Sequence, residues 1–126
     1  MIVKIYLRAI KTDSTVGGTD HLAMFDSNRS GAIDDLITVV PGRGVTINWK
    51  LDSCSGIKRI KRIYSKEEKH TVFIKEPRER ILCQGFILRL DLPEDKVVRE
   101  EKYTIECLLY NDKILIIDPV IRVPPP

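Results

Sequence analysis

Apolar residues recur at every second position in two separate parts of the chain. Near the start, the alternating apolar residues are Val3, Ile5, Leu7 and Ala9. After Pro41-Gly42, a turn signal, the same spacing returns at Val45, Ile47, Trp49 and Leu51. A period of two is typical of a strand with one buried face. The pattern therefore predicts two strands and places Val45, Ile47 and Trp49 in the core.

Shorter apolar runs bounded by turn residues predict further strands near 57–64, 71–75, 81–90, 103–110 and 113–123. About seven to eight short strands are typical of an all-β, single-domain Greek-key β-sandwich. A chain of 126 residues is long enough for one core. We expect one domain over residues 1–123 and an extended proline tail over 124–126.

The stretch 11–35 is predicted to be a long loop because Gly, Ser, Thr, Asn and Asp dominate it. Asp20 could cap a short helical turn over 21–25. Residues 26–34 match the first nine positions of an EF-hand loop, with oxygen ligands at Asp26, Asn28, Ser30 and Asp34. Position twelve is Ile37, where calcium requires a bidentate Glu. These four residues are weak calcium candidates, and a plain turn-rich loop is the alternative.

Composition excludes several classes of protein. The chain is 43% hydrophobic and 31% charged, which is typical of a globular domain. No apolar run approaches the roughly 20 residues of a membrane span, so we expect no membrane partner. Lys4 and Arg8 interrupt the first apolar segment, which argues against a signal peptide. If Met1 is the native start, the protein is expected in the cytoplasm.

The strongest charge signal is a run of four basic residues at Lys58, Arg59, Lys61 and Arg62. In a regular strand they would fall on both faces, which indicates a sheet edge, where Lys blocks unwanted pairing. The alternative is an anion-binding face for an acidic protein partner. From 58 to 80 the aromatic residues are Tyr64 and Phe73, too few for base stacking, which disfavours nucleic acid.

Residues 39–49 resemble the cupredoxin family, in which a turn leads into an alternating strand that ends in Trp. Residues 103–123 resemble that family's last hairpin, since Tyr103 is followed four residues later by Cys107. The resemblance implies a Greek-key sandwich. Blue copper also needs two imidazoles, but Tyr110 and Leu115 occupy the positions of the family's last His and Met, and 52–56 contains no His.

An immunoglobulin-like sandwich is the rival, because Tyr103 suits its tyrosine corner and Trp49 suits its core. We interpret Cys83 and Cys107 as small buried hydrophobes. Cys54, close to Lys58 and Arg59, is the better candidate for a reactive thiol, although no His or Asn is placed to assist it.

No phosphate-binding loop and no acid–base carboxylate pair can be identified, so the sequence predicts neither an enzyme nor a cofactor. The leading hypothesis is a non-catalytic interaction or accessory module with Lys58, Arg59, Lys61 and Arg62 as its working surface. The alternatives are a degenerate metal or redox protein that uses Cys107 or Cys54, and a calcium-stabilised module.

Overall fold

The computed structural model describes residues 1–11, 20–25, 37–53, 55–80 and 85–125. The described residues contain ten strands and no helix, and hence no helix that could cross a membrane. The strands are β1 (Ile2–Lys11), β2 (Asp20–Phe25), β3 (Ile37–Val39), β4 (Thr46–Leu51), β5 (Ile57–Ser65), β6 (Arg78–Glu79), β7 (Phe86–Arg89), β8 (Arg99–Leu109), β9 (Ile114–Ile117) and β10 (Val120–Val123).

These strands form two packed sheets, so the prediction of an all-β sandwich is confirmed. The first sheet has the order β2-β1-β4-β7-β6. The second has the order β3-β10-β8-β5, with β9 also paired to β8. Both sheets are mixed, because β1 pairs with β4 and β3 pairs with β10 in parallel. Strand β8 has β5 on one side, and β10 followed by β9 on the other.

Trp49 lies at the centre of the core. Val45, Ile47 and Trp49 are buried, as the alternating pattern predicted. From the second sheet, Tyr103 packs edge-on against Trp49 with ring centroids 5.7 Å apart, and Phe73 lies against both rings. Large aromatic side chains remove much apolar area from water, so this cluster supplies a large share of the packing between the sheets.

The long loop expected over 11–35 is interrupted by strand β2, and the short helical turn expected over 21–25 is wrong because those residues belong to this strand. This strand runs antiparallel to β1, with Leu22 opposite Ala9 and Met24 opposite Leu7. Leu22, Ala23 and Met24 are all buried, and the residue-by-residue pairing with β1 is that of a strand. Burial of these side chains and the ladder with β1 outweigh the local capping signal of Asp20.

The strand expected over 71–75 is also absent, because a buried carboxylate binds that backbone. Oε1 of Glu101 accepts hydrogen bonds from the N–H groups of Thr71 at 2.7 Å, Val72 at 2.8 Å and Phe73 at 3.1 Å. Burial alone would raise the pKa of Glu101, but the Ser65 hydroxyl and these N–H groups lower it below its ordinary value of 4.5. The charged Glu101 thus replaces a neighbouring strand as the partner of this segment.

Candidate interaction surface

Strand β5 repeats one triplet of residues, Ile-Lys-Arg, and the burial of its side chains follows that triplet. Ile57, Ile60 and Ile63 are buried, each at most 3% exposed. The basic residues between them, Lys58, Arg59, Lys61 and Arg62, are all exposed. A period of three is neither that of a regular strand nor that of a helix, so the backbone must depart from regular geometry.

Two irregularities in the β5–β8 ladder account for this period. Ile57 lies opposite Leu109 and Arg59 opposite Leu108, with a register shift between them. A second shift separates Ile60, opposite Cys107, from Arg62, opposite Glu106. Lys58 and Lys61 are the extra residues of these bulges. The prediction that the cations would lie on both faces is therefore wrong, because each bulge returns the next isoleucine to the core.

The basic strand lies at the end of its sheet. Within the described ranges, β5 pairs with β8 alone, and its other side has no neighbouring strand. A cavity of about 20 Å³ lies beside it, next to Leu51, Ile60 and Phe86. That volume holds about one water molecule. The feature of β5 available to a partner is therefore its exposed row of cations, and not a pocket.

Contacts with neighbouring side chains hold one of these cations, Arg62, in place. The guanidinium of Arg62 stacks over the ring of Tyr64, with Cζ 4.1 Å from the centroid. The Tyr64 hydroxyl donates a hydrogen bond to Oε1 of Glu106 at 3.0 Å. Among the ion pairs between described residues, none involves Lys58, Arg59, Lys61 or Arg62. These four cations therefore form no direct ion pair with a described carboxylate, although Glu106 lies opposite Arg62 in the ladder.

Tyr64 and Glu106 were not identified from the sequence. Glu106 lies more than 40 residues from Arg62 in the chain and faces it only across the ladder. The available signal was that Tyr64 follows Ile63 at the position where a third triplet would have placed Lys. Residues that meet across a ladder can be identified only when the pairing register of the two strands is known.

Cys107 lacks the surroundings of a metal or redox thiol. It lies on the inner face of β8, opposite Ile60 of β5 and Leu115 of β9. Burial raises the pKa of its thiol to about 12, which disfavours the thiolate that binds metals. Tyr110, which stands where cupredoxins place a His, is exposed in the turn after β8. These residues do not fit a blue-copper site.

Several predicted residues lie outside the described part of the chain. They are the calcium candidates Asp26, Asn28, Ser30 and Asp34, together with Cys54 and Cys83. Ile37, which stands at the twelfth position of that loop, begins β3. The described residues contain no cluster of three or more His, Cys, Asp or Glu side chains that could hold a metal ion.

Arg43 is a buried cation whose two terminal nitrogens donate to groups of the protein itself. Its Nη1 donates to the carbonyl of Pro93 at 3.1 Å and to Oδ1 of Asp95 at 3.0 Å, and its Nη2 donates to the carbonyl of Val97. Arg99 donates to the other oxygen of Asp95 at 2.7 Å. The pKa of Asp95 is lowered, chiefly by that Arg99 hydrogen bond. This cluster stabilises the 93–97 loop. Nε of Arg43 and Nε of Arg99 are buried without a hydrogen-bond partner among the described atoms.

A groove of about 390 Å³ lies on the outer face of the first sheet. Its charged lining is of both signs, with Lys75, Arg78 and Arg89 beside Glu76 and Asp91. Mixed charge gives no preference for one class of small ligand, so β5 remains the better-defined surface. The sequence matches no protein-family model and no curated protein.

Proposed function

We propose that this protein is a non-catalytic interaction module that binds an acidic protein partner along strand β5. The observation that carries the proposal is the exposure of all four cations of the Ile-Lys-Arg triplets on one edge strand. None of them forms a direct ion pair with a described carboxylate, so all four remain available to an acidic partner.

The bulges support this role because they concentrate charge. A regular strand exposes one side chain on a given face about every 7 Å. In β5, each bulge adds Lys58 or Lys61 beside Arg59 or Arg62, so two cations occupy the length that normally holds one. A partner with closely spaced carboxylates would match this density better than a scattered acidic surface would.

The proposal also includes the fold family of the protein and its cellular location. A cupredoxin-like or immunoglobulin-like frame is supported by the buried Trp49 strand and by Tyr103 beside it in the core. A cytoplasmic location is supported by the free, buried thiol of Cys107, which suits a reducing compartment. The activity proposed for the scaffold is binding alone.

The test is a charge-reversal variant in which Lys58, Arg59, Lys61 and Arg62 are all replaced by Glu. A matched control reverses four exposed cations elsewhere, at Lys4, Lys75, Arg89 and Lys96. Proteins captured from the source cell are identified, purified and measured by calorimetry against all three proteins. We expect the β5 variant to lose binding, the control to keep it, and wild-type affinity to fall as salt rises.

Equal affinity for the wild type and the β5 variant, in low and high salt, would overturn the proposal. The cations would then serve only to keep an exposed edge from pairing with other strands. Circular dichroism of each variant establishes that the fold is retained. The exposed positions of the substituted side chains make that the expected result.

A further inference from the structure

The outer face of the second sheet carries apolar side chains beside the cations of β5. Strand β8 lies between β5 and β9, and residues opposite each other in a ladder share a face. The alternate residues of β8, Ile105, Cys107 and Leu109, are buried in the core, so the residues between them lie on the outer face. Two rows of side chains therefore cross this face from β5 to β9: Arg59, Leu108 and Ile114, and then Arg62, Glu106 and Ile116.

The β9 end of each row is apolar and exposed. Ile114 is 47% exposed and Ile116 is 56% exposed, and Leu108 beside Ile114 is half-buried. Neighbouring exposed apolar side chains bordered by polar ones commonly mark a contact with another protein. Such a contact uses the side chains of β9 and not the hydrogen-bonding groups of its edge.

The spacing of the strands determines which shape of partner fits. Adjacent strands lie about 4.8 Å apart, so the arginines of β5 and the isoleucines of β9 form two columns roughly 10 Å apart. An extended segment presents one column of side chains to a face, whereas a helix about 10 Å wide presents two neighbouring columns. Residues four apart on a helix are separated by about 6 Å along its axis, close to the roughly 7 Å between the two rows.

We propose that this face binds an amphipathic helix of the acidic partner. The inference rests on the function proposed for β5 and names the part of the partner that binds there. The acidic side of the helix would lie over Arg59 and Arg62, and its apolar side over Leu108, Ile114 and Ile116. The opposite charges determine which side of the helix faces β5.

Glu106 favours a helix over an anionic membrane as the occupant. Its position in the ladder is between Arg62 and Ile116, and its carboxylate accepts the hydrogen bond from Tyr64. A layer of anionic lipid headgroups would place negative charge against Glu106 as well as against the cations, and like charges repel. A helix can place its acidic residues over β5 alone and a polar or basic residue over Glu106.

The test uses three labelled synthetic peptides, each of three heptads abcdefg, measured against the full chain by fluorescence anisotropy. The Leu/Glu peptide carries Leu at a and d and Glu at b and e, so that its acidic side adjoins its apolar side. In the Ala/Glu peptide, Ala replaces Leu, which keeps the helix and removes the large apolar side chains. In the Leu/Lys peptide, Lys replaces Glu.

The variant that tests the apolar column is the double substitution Ile114→Thr and Ile116→Thr, which keeps β-branched side chains in β9. Its matched control is the double substitution Ile2→Thr and Ile74→Thr, at isoleucines that are 61% and 59% exposed elsewhere. The charge-reversal variant of β5 is measured beside them. Circular dichroism reports whether each variant folds.

We expect the wild type and the control to bind the Leu/Glu peptide roughly tenfold or more tightly than either other peptide. The β9 double variant should lose the preference for the Leu/Glu over the Ala/Glu peptide. The amide NMR signals of β5, β8 and β9 should shift together when the wild type binds. If the double variant fails to fold, the peptide comparison and these shifts decide the question.

Equal affinity of the wild type for the Leu/Glu and Ala/Glu peptides, or no binding of the Leu/Glu peptide, overturns this inference. The β5 proposal would then still be decided by its own captured partner, so the two failures are separate results. Self-association that the β9 double variant abolishes would assign the face to a second copy and overturns the inference. Binding to phosphatidylglycerol vesicles as tight as to the Leu/Glu peptide would assign the face to a membrane, with the same consequence.

Discussion

The indole N–H of Trp49 donates a hydrogen bond to the hydroxyl of Tyr103 across 3.1 Å, and both side chains are completely buried. Trp49 belongs to the first sheet and Tyr103 to the second. A polar contact therefore joins the two sheets inside an apolar core. The hydrogen bond gives the indole N–H and the hydroxyl a partner each, without which burying them would be costly. Burial raises the pKa of the Tyr103 hydroxyl, so the hydroxyl stays neutral.

Tyr103→Phe removes the acceptor and leaves the indole N–H without a partner. We expect a loss of roughly 1–3 kcal/mol in the free energy of unfolding, measured by urea denaturation. In a Trp49→Phe background the same substitution should cost less, because no indole remains to satisfy. An equal cost in both backgrounds would mean that the hydrogen bond contributes nothing.

Glu101→Gln tests the buried carboxylate that holds residues 71–73. The pKa of Glu101 is lower in the folded than in the unfolded chain, so its ionisation stabilises the fold above about pH 4.5. That contribution is lost as pH falls through the lowered folded pKa. We expect Glu101→Gln to cost roughly 1.5–3 kcal/mol at pH 7, with a smaller cost in acid.

The matched control for this experiment is Glu100→Gln, the adjacent but exposed carboxylate that pairs with Arg122. Its cost at pH 7 should be about 1 kcal/mol or less. Nδ1 of His70 lies 3.6 Å from Oε2 of Glu101, so the series is repeated with His70→Gln to remove the imidazole charge. A cost of Glu101→Gln that does not change with pH would contradict the role of its charge.

Gly85 precedes β7 in a conformation that an L side chain rarely adopts, with φ of +89°. A Cβ at this position would lie 2.0 Å from the carbonyl oxygen of Trp49. We expect Gly85→Ala to lower the free energy of unfolding by roughly 3 kcal/mol or more, measured by denaturant titration. Gly44→Ala, with open space around its Cβ, should cost less than about 1 kcal/mol.

Deletion of Lys61 tests the bulges of β5. A deletion inside a regular strand turns every following side chain to the other face. Without Lys61, however, Ile60, Arg62 and Ile63 would alternate as in, out and in. We expect this variant to unfold cooperatively, with a loss of no more than about 2 kcal/mol. Deletion of Glu106 from the regular strand β8 is the control, and it should abolish the folded signal in circular dichroism.

Alternation in the sequence predicted the strands that have one buried and one exposed face. Ile47 and Trp49 alternate in this way, and their burial is confirmed. Asn48, on the other face of the strand, is buried as well, which the alternation did not predict. The segment that contains Val72 and Phe73 is equally apolar, yet it forms no strand. Its backbone partner is Glu101, almost 30 residues later in the chain, and no local pattern reveals such a long-range contact.

The candidate surface was predicted in part. Lys58, Arg59, Lys61 and Arg62 were identified as basic residues of an edge strand, and β5 does lie at the end of its sheet in the described part of the chain. Their common exposure was missed, because a period of two was assumed where the triplets impose a period of three. Bulges depend on the partner strand, so they become visible only with the β5–β8 register.

The two bulges shorten β5 relative to its neighbour. Nine residues, Ile57 to Ser65, lie along only seven residues of β8, Tyr103 to Leu109. A strand added to the other side of β5 would have to reproduce both irregularities to keep its hydrogen bonds. The edge therefore resists chain-to-chain strand addition, the first step of β-aggregation, while its cations stay accessible to solvent.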